Sequence, residues 1–240
     1  MFRPLLCIFL LAHLLGDFYF QSSNLAKKKK SNYAWLMFHG LAYLSAGLLT
    51  ILPYYSTTLL INLIILAALH LTIDSLKFFL TKSIKNRSVV YLIDQLLHLL
   101  CIVVVALVLP YHNYQLALIA PLTPFSQLDT VNELYYWLTL LLLVVKPASL
   151  TIRILLSDYR CQQDPADGIK NAGALIGILE RIIILLFLSI QQYSAIGLVL
   201  TAKSVARYNK IAEDKQFAEY YLLGTLLSTL FVLAGYLLLS

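Results

Sequence analysis

The sequence predicts an all-α polytopic transmembrane helix bundle of about eight spans, and three observations carry that prediction. Of 240 residues, 60% are hydrophobic and only 12% are charged, about half the roughly 25% charged share of a soluble domain. The apolar residues gather in runs of about 20, the length a helix needs to cross a bilayer. Those runs are continuous, without the alternating pattern of a membrane β-barrel. The net charge of +6 therefore reads as membrane topology. Nucleic-acid binding would need a basic soluble surface, and none is visible. Cys7, Cys101 and Cys161 show no CxxC spacing, so no disulfide framework is implied.

The first span covers residues 1–22. Arg3 ahead of an apolar core resembles a secretory signal, but His13 and Asp17 interrupt the core and no small-x-small cleavage site follows. Lys27–Lys30 form a run of positive charge. The second span runs from about Tyr33 to Leu52 and turns at Pro53. The third, from about Thr57 to Leu80, is followed by Lys82, Lys85 and Arg87. The fourth runs from about Val90 to Leu109. The loop 111–131 has no Lys or Arg; it contains His112, Pro121 and Pro124, and Ile119 and Phe125 are expected near the interface. The fifth span, Asn132–Leu156, contains Pro147, which should kink it. A polar loop with Arg160, Asp164, Asp167 and Lys170 leads to the sixth span, Ala172–Gln191. The seventh, Ala195–Tyr208, is short, and the eighth runs from Phe217 to Leu239.

Loops after odd-numbered spans hold nearly all the loop Lys and Arg, which places them in the cytoplasm and both termini outside. If the seventh segment does not cross, the C-terminus ends inside. The expected organisation is a four-helix half at 1–110, an outward loop at 111–131, and a second four-helix half at 132–240.

The first half carries three matched pairs. His13 and Asp17, His70 and Asp74, and Asp94 and His98 are each four residues apart, so each pair shares a helix face. With the predicted topology, these six residues and His39 fall in the cytoplasmic half of their spans, bordered by Gln21, Lys77 and Gln95. A charge at mid-membrane costs roughly 2.5–3.5 kcal/mol on insertion scales, so the layer must satisfy itself. One reading is interhelical hydrogen bonding that fixes packing. A second is a metal site, because imidazole and carboxylate are ligands of Zn²⁺, Mn²⁺ and Fe²⁺ and helix bundles build such sites from facing side chains. Seven candidates suit one or two ions, with a residue such as His39 or Asp94 left to act catalytically. A third is a proton relay. His13-x-x-x-Asp17 and His70-x-x-x-Asp74 also hint at duplicated helical hairpins.

The second half carries Glu180 and Arg181 on span six, and Lys203 and Arg207 on span seven. Glu180 is expected to pair with Lys203 or Arg207, and Arg181 with Glu219. Lys203, Arg207 and Arg181 together suit an anionic phosphate or carboxylate group.

Several segments resemble an uncharacterised family of bacterial integral membrane proteins, a domain of unknown function. They are Ala12–Phe18 (AHLLGDF) with Gln21, the isolated His39, His70–Lys77 (HLTIDSLK) and Asp94–His98 (DQLLH). In the second half they are Gly177–Arg181 (GILER), Ala202–Arg207 (AKSVAR) and Glu219–Ser228 (EYYLLGTLLS). The resemblance implies an integral protein of the bacterial cytoplasmic (inner) membrane and brings no activity. The first half also resembles bacterial inner-membrane metal-dependent hydrolases with intramembrane His and Asp, which implies hydrolytic chemistry.

The function expected first is a metal-dependent intramembrane enzyme, a hydrolase or transferase. Its partners would be membrane lipid and a phosphorylated lipid or other amphipathic anion reached from the cytoplasm. His13, Asp17, His70, Asp74, Asp94 and His98 would bind one or two divalent ions (Zn, Mn or Fe), with His39 as a further ligand or base. Lys203, Arg207, Arg181, Glu180, Lys77, Gln21 and Gln95 would face the substrate. A metal-ion or proton transporter is the alternative, although the outer leaflet offers few polar groups beyond Thr50 and Asn62. A non-catalytic scaffold with a polar packing layer is the other.

Overall fold

The computed structural model describes residues 2–29, 32–80, 86–108, 115–116, 128–159 and 172–240. Lys30, Lys82, Lys85, His112, Ile119, Pro121, Pro124, Phe125, Arg160, Cys161, Asp164, Asp167 and Lys170 lie outside the described residues.

The fold is all-α and polytopic. Its helices are α1 (Phe2–Leu14), α2 (Ser23–Lys28), α3 (Tyr33–Ile51), α4 (Thr57–Leu80), α5 (Arg87–Val108), α6 (Leu128–Leu155), α7 (Ala172–Ser189), α8 (Tyr193–Val205), α9 (Tyr208–Glu213) and α10 (Lys215–Leu239). Two short strands, β1 (Tyr54–Tyr55) and β2 (Gln115–Leu116), pair antiparallel. Among the described residues seven helices are long and apolar enough to cross a membrane, while Tyr193–Val205 is shorter. At 1.5 Å per residue α8 spans about 20 Å, less than the hydrocarbon thickness of about 30 Å. Seven crossings would leave the two termini on opposite faces of the membrane.

Small polar residues mark the helix starts. Ser22 Oγ accepts from Leu25 N–H at 3.2 Å, Asn32 Oδ1 from Ala34 N–H at 2.8 Å and Asp214 Oδ1 from Phe217 N–H at 3.0 Å. Each supplies an acceptor to a first-turn amide that has no partner within its helix. Helix α7 closes differently. Gln191 takes φ 58° and the Gln192 N–H reaches Phe187 O at 2.8 Å, a left-handed cap that satisfies a terminal carbonyl.

The chain forms two compact units, Met1–Thr139 and Leu140–Ser240, with the boundary inside α6. In the first unit α1 packs on α3 and α5, α3 on α4, and α4 on α5, closing a ring of four helices. Helix α1 is the most enclosed: Leu5, Ile8, Phe9 and Leu14 are buried on successive faces. Leu41, Leu96 and Leu107 are exposed on the neighbouring helices, as expected of side chains that meet lipid. In the second unit α7 packs on α8 and α10, and α9 on α10.

Two glycines set the packing distance in the first unit. A Cβ at Gly16 would lie 2.7 Å from Tyr43 Cδ2 and 3.2 Å from Tyr43 Cα, and one at Gly47 would lie 2.2 Å from Leu63 Cδ1. Leu63 is fully buried, so it has nowhere to move. Gly47→Ala is therefore expected to lower stability by about 1–3 kcal/mol through overpacking. Gly173→Ala, where nothing lies within 4 Å, should not. Thermal unfolding of both variants in detergent checks the difference.

Candidate metal centre

The polar layer of the first unit begins with an irregularity in its first span. After Leu14 the helix widens into a π turn over Leu15–Tyr19, where Phe20 N–H bonds Leu15 O at 2.7 Å. Such insertions re-aim side chains and recur at functional sites. Asp17 sits in this turn. Its Oδ2 lies 4.0 Å from His13 Nε2, one turn back, while Oδ1 lies 3.1 Å from His39 Nε2 on α3 and 3.3 Å from His70 Nε2 on α4.

Helix α4 supplies the opposite carboxylate. Asp74 Oδ2 is 3.4 Å from His39 Nε2 and 3.7 Å from His70 Nε2. The two Nε2 atoms are themselves 3.2 Å apart. Four potential ligand atoms from α1's extension, α3 and α4 thus converge on one point. Tyr43 stacks on His70 with ring centroids 3.8 Å apart, which fixes that imidazole from the side.

The convergence has an electrostatic consequence. Each Nε2 faces two carboxylates and the other Nε2. Each Nε2 can donate a proton to a carboxylate oxygen or, deprotonated, offer a lone pair. The two carboxylates meet at this point, and a metal ion or protons on the imidazole nitrogens would offset their repulsion. Near-complete burial of His39, His70 and Asp74 (0%, 2% and 3% exposed) leaves little water to screen the repulsion.

A second node lies on α5. Asp94 Oδ2 accepts from Lys77 Nζ at 2.6 Å and from Gln95 Nε2 at 3.1 Å. His98 Nδ1 is 2.8 Å from Asp94 O and 3.8 Å from Asp94 Oδ1. The His98 ring lies 4.4 Å from that of His70 and stacks on His13 at 5.1 Å. All six residues of the three pairs and His39 therefore meet in one layer. Three subsets bring ligand atoms within 4.8 Å of one another: His13, Asp17 and His70; His39, His70 and Asp74; and Asp74, Asp94 and His98. Gln21, just past the π turn, keeps a buried Oε1 without a hydrogen-bond partner.

Lys29 was not expected in this layer. It belongs to the basic run after span one, which reads as topology alone, yet its Nζ lies 2.9 Å from Asp74 Oδ2 with a largely buried side chain. Helix α2, anchored by buried Leu25, carries it back over the layer. Its only sequence signal is position: it stands second from last in the run, on the face of α2 shared with Leu25.

The cationic residues of the second unit have partners of their own. Lys203 Nζ donates to Glu180 Oε2, the expected pair, and to Thr225 Oγ1. Arg181 differs from expectation, since its donors go to Val144 O, Val145 O, Ser149 Oγ and Ser228 Oγ and not to Glu219. Val144, Val145 and Ser149 all lie within three residues of Pro147 inside α6, and backbone carbonyls and hydroxyls take the guanidinium donors in place of a carboxylate. Arg207 is half-buried with its guanidinium 5.9 Å from the Phe217 ring centroid.

Removing the Lys29 ammonium would leave the buried Asp74 carboxylate short of a counter-charge, which costs about 3 kcal/mol or more. Lys29→Ala should lower the unfolding free energy of the chelator-treated protein by that order. Lys27→Ala, at an exposed site of the same run, should stay within about 0.5 kcal/mol. Comparative unfolding in detergent measures both.

No curated protein and no solved structure matches the chain. Residues 5–123, which include every member of the His/Asp layer, match the family model described as "Protein of unknown function (DUF3307)".

Proposed function

We propose that the first unit is a metal-dependent intramembrane enzyme, a hydrolase or transferase acting from the cytoplasmic side on a phosphorylated lipid or similar amphipathic anion. One observation carries the reading. Ligand bonds of about 2.0–2.1 Å place tetrahedral ligand atoms about 3.3–3.4 Å apart. Asp17 Oδ1, Asp74 Oδ2, His39 Nε2 and His70 Nε2 are separated by 3.1, 3.2, 3.3, 3.4 and 3.7 Å along five of their six edges. A mixed set of two imidazoles and two carboxylates suits Zn²⁺, with Mn²⁺ or Fe²⁺ as the other candidates. His39 is then a ligand at the centre of the site.

The charge balance supports an anionic substrate. Asp17, Asp74 and Asp94 face Lys29 and Lys77, so the layer carries one net negative charge with its imidazoles neutral. A divalent ion makes that one net positive charge, which a phosphoryl or carboxylate group would balance. The bound ion would lower the pKa of a coordinated water and polarise a phosphoryl oxygen. In this reading Asp17, Asp74, His39 and His70 would hold the ion, and Asp94 and His98 would stand beside the site as proton acceptors or further ligands.

Transport is less well supported. The buried hydroxyls toward the predicted outer side are used locally: Thr50 Oγ1 donates to Gly47 O, and Thr139 Oγ1 to Tyr135 O. Asn62, with a buried Nδ2 lacking a partner, is a single step and not a path.

Purified protein is expected to hold at least one tightly bound divalent ion per chain, measured by elemental analysis. His70→Ala should lose it while remaining inserted in the membrane. Chelation should abolish phosphate release from a phosphomonoester lipid in mixed micelles, and liposome flux of Zn²⁺ or protons should be absent. Folded wild-type protein without metal contradicts the proposal.

A further inference from the structure

Asp94 and His98 are not exhausted by the four-atom site. The His98 Nδ1 atom lies 2.8 Å from the Asp94 carbonyl oxygen. A carbonyl can only accept, so the ring proton is on Nδ1 and the lone pair is on Nε2. That Nε2 is buried and has no hydrogen-bond partner. Protein-held tautomers of this kind, with Nδ1–H on a backbone carbonyl and Nε2 free, are how metal-ligating histidines are oriented. His13, His39 and His70 differ: in each the buried atom without a partner is Nδ1.

Asp94 shows the same pattern from the carboxylate side. Oδ2 takes both Lys77 Nζ and Gln95 Nε2, while Oδ1 is buried with no partner. Lys77 and Gln95 thus hold the carboxylate in place from one side and leave its second oxygen free. An unpartnered imidazole nitrogen and an unpartnered carboxylate oxygen are both acceptors, and no donor is assigned to either. Asp74 completes the group, since Asp74, Asp94 and His98 each bring a ligand atom within 4.8 Å of the others.

We propose that the first unit holds a second divalent-cation site, formed by Asp94 and His98 with Asp74 shared between the two ions. The inference rests on the metal reading above and deepens it, because a carboxylate-bridged pair of ions is the arrangement that clamps both the attacking and the leaving oxygen of a phosphoryl group. It assigns Lys77 and Gln95 as positioning residues for Asp94, in place of direct contact with substrate.

The test uses the full chain in detergent, titrated with Mn²⁺ alone. Bound ion is counted by elemental analysis, and coupling is read by electron paramagnetic resonance. Wild-type protein is expected to bind two ions and to show an exchange-coupled spectrum. His98→Gln should bind one ion and show the six-line spectrum of an isolated Mn²⁺, and His39→Ala should lose the other ion. Two tightly bound ions that both survive in His98→Gln overturn the assignment of the ligands. One ion in wild type, unchanged in His98→Gln, overturns the second site and leaves the four-atom site standing. No ion in folded wild type removes both. The wild-type count and spectrum decide the matter even where a variant does not fold.

Discussion

The structure of the first unit depends on one constraint: carboxylates and imidazoles placed in hydrocarbon must find one another. Unscreened, each would cost several kcal/mol. Here the cost is offset by convergence. Asp17, His39, His70 and Asp74 meet within 3.1–3.7 Å, and Lys29 and Lys77 bring ammonium groups from the basic end of the unit to Asp74 and Asp94. The packing around the layer follows from this need. Helix α1 is buried on nearly all faces, the π turn re-aims Asp17, and Gly16 lets that turn lie against Tyr43, whose ring in turn stacks on His70.

The same constraint is met by other means in the second unit. There the polar groups serve a backbone contact and an ion pair. Arg181 donates to Val144 O and Ser149 Oγ on α6, and Glu180 and Lys203 neutralise each other beside Thr225. These contacts give both cations a local structural task. The first unit is different in kind, because two imidazole nitrogens and two carboxylate oxygens from three segments converge on one point.

Much of this was legible in the sequence. Span positions followed from apolar runs, whereas the capping residues Ser22, Asn32 and Asp214 emerged only with the structure. Membership of the layer followed from four-residue spacing combined with the positive-inside rule. The pairing did not. Within the spaced pairs the side chains lie 3.7–4.0 Å apart, whereas the closest contacts cross between helices, as from His39 to Asp17 at 3.1 Å. Spacing reports one helix at a time and is silent on which partner an interhelical packing angle selects. The π turn has no pattern to reveal it, and Lys29 was hidden in a run whose other members serve topology. The expected Arg181–Glu219 pair failed because sequence reading matches charge to charge, while Arg181 is taken up by backbone carbonyls and hydroxyls that no list of charges contains. The short α8 was visible by its length, and 13 residues remain too few for a full crossing.

The central claim is that two imidazole nitrogens and two carboxylate oxygens enclose a divalent ion. X-ray absorption at the zinc edge, on protein loaded with one equivalent of Zn²⁺, tests it most directly. The account predicts a four-coordinate shell of nitrogen and oxygen at about 2.0–2.1 Å, without sulfur, and with the outer-shell scattering of two imidazoles. A six-coordinate shell of oxygen without imidazole scattering would contradict it.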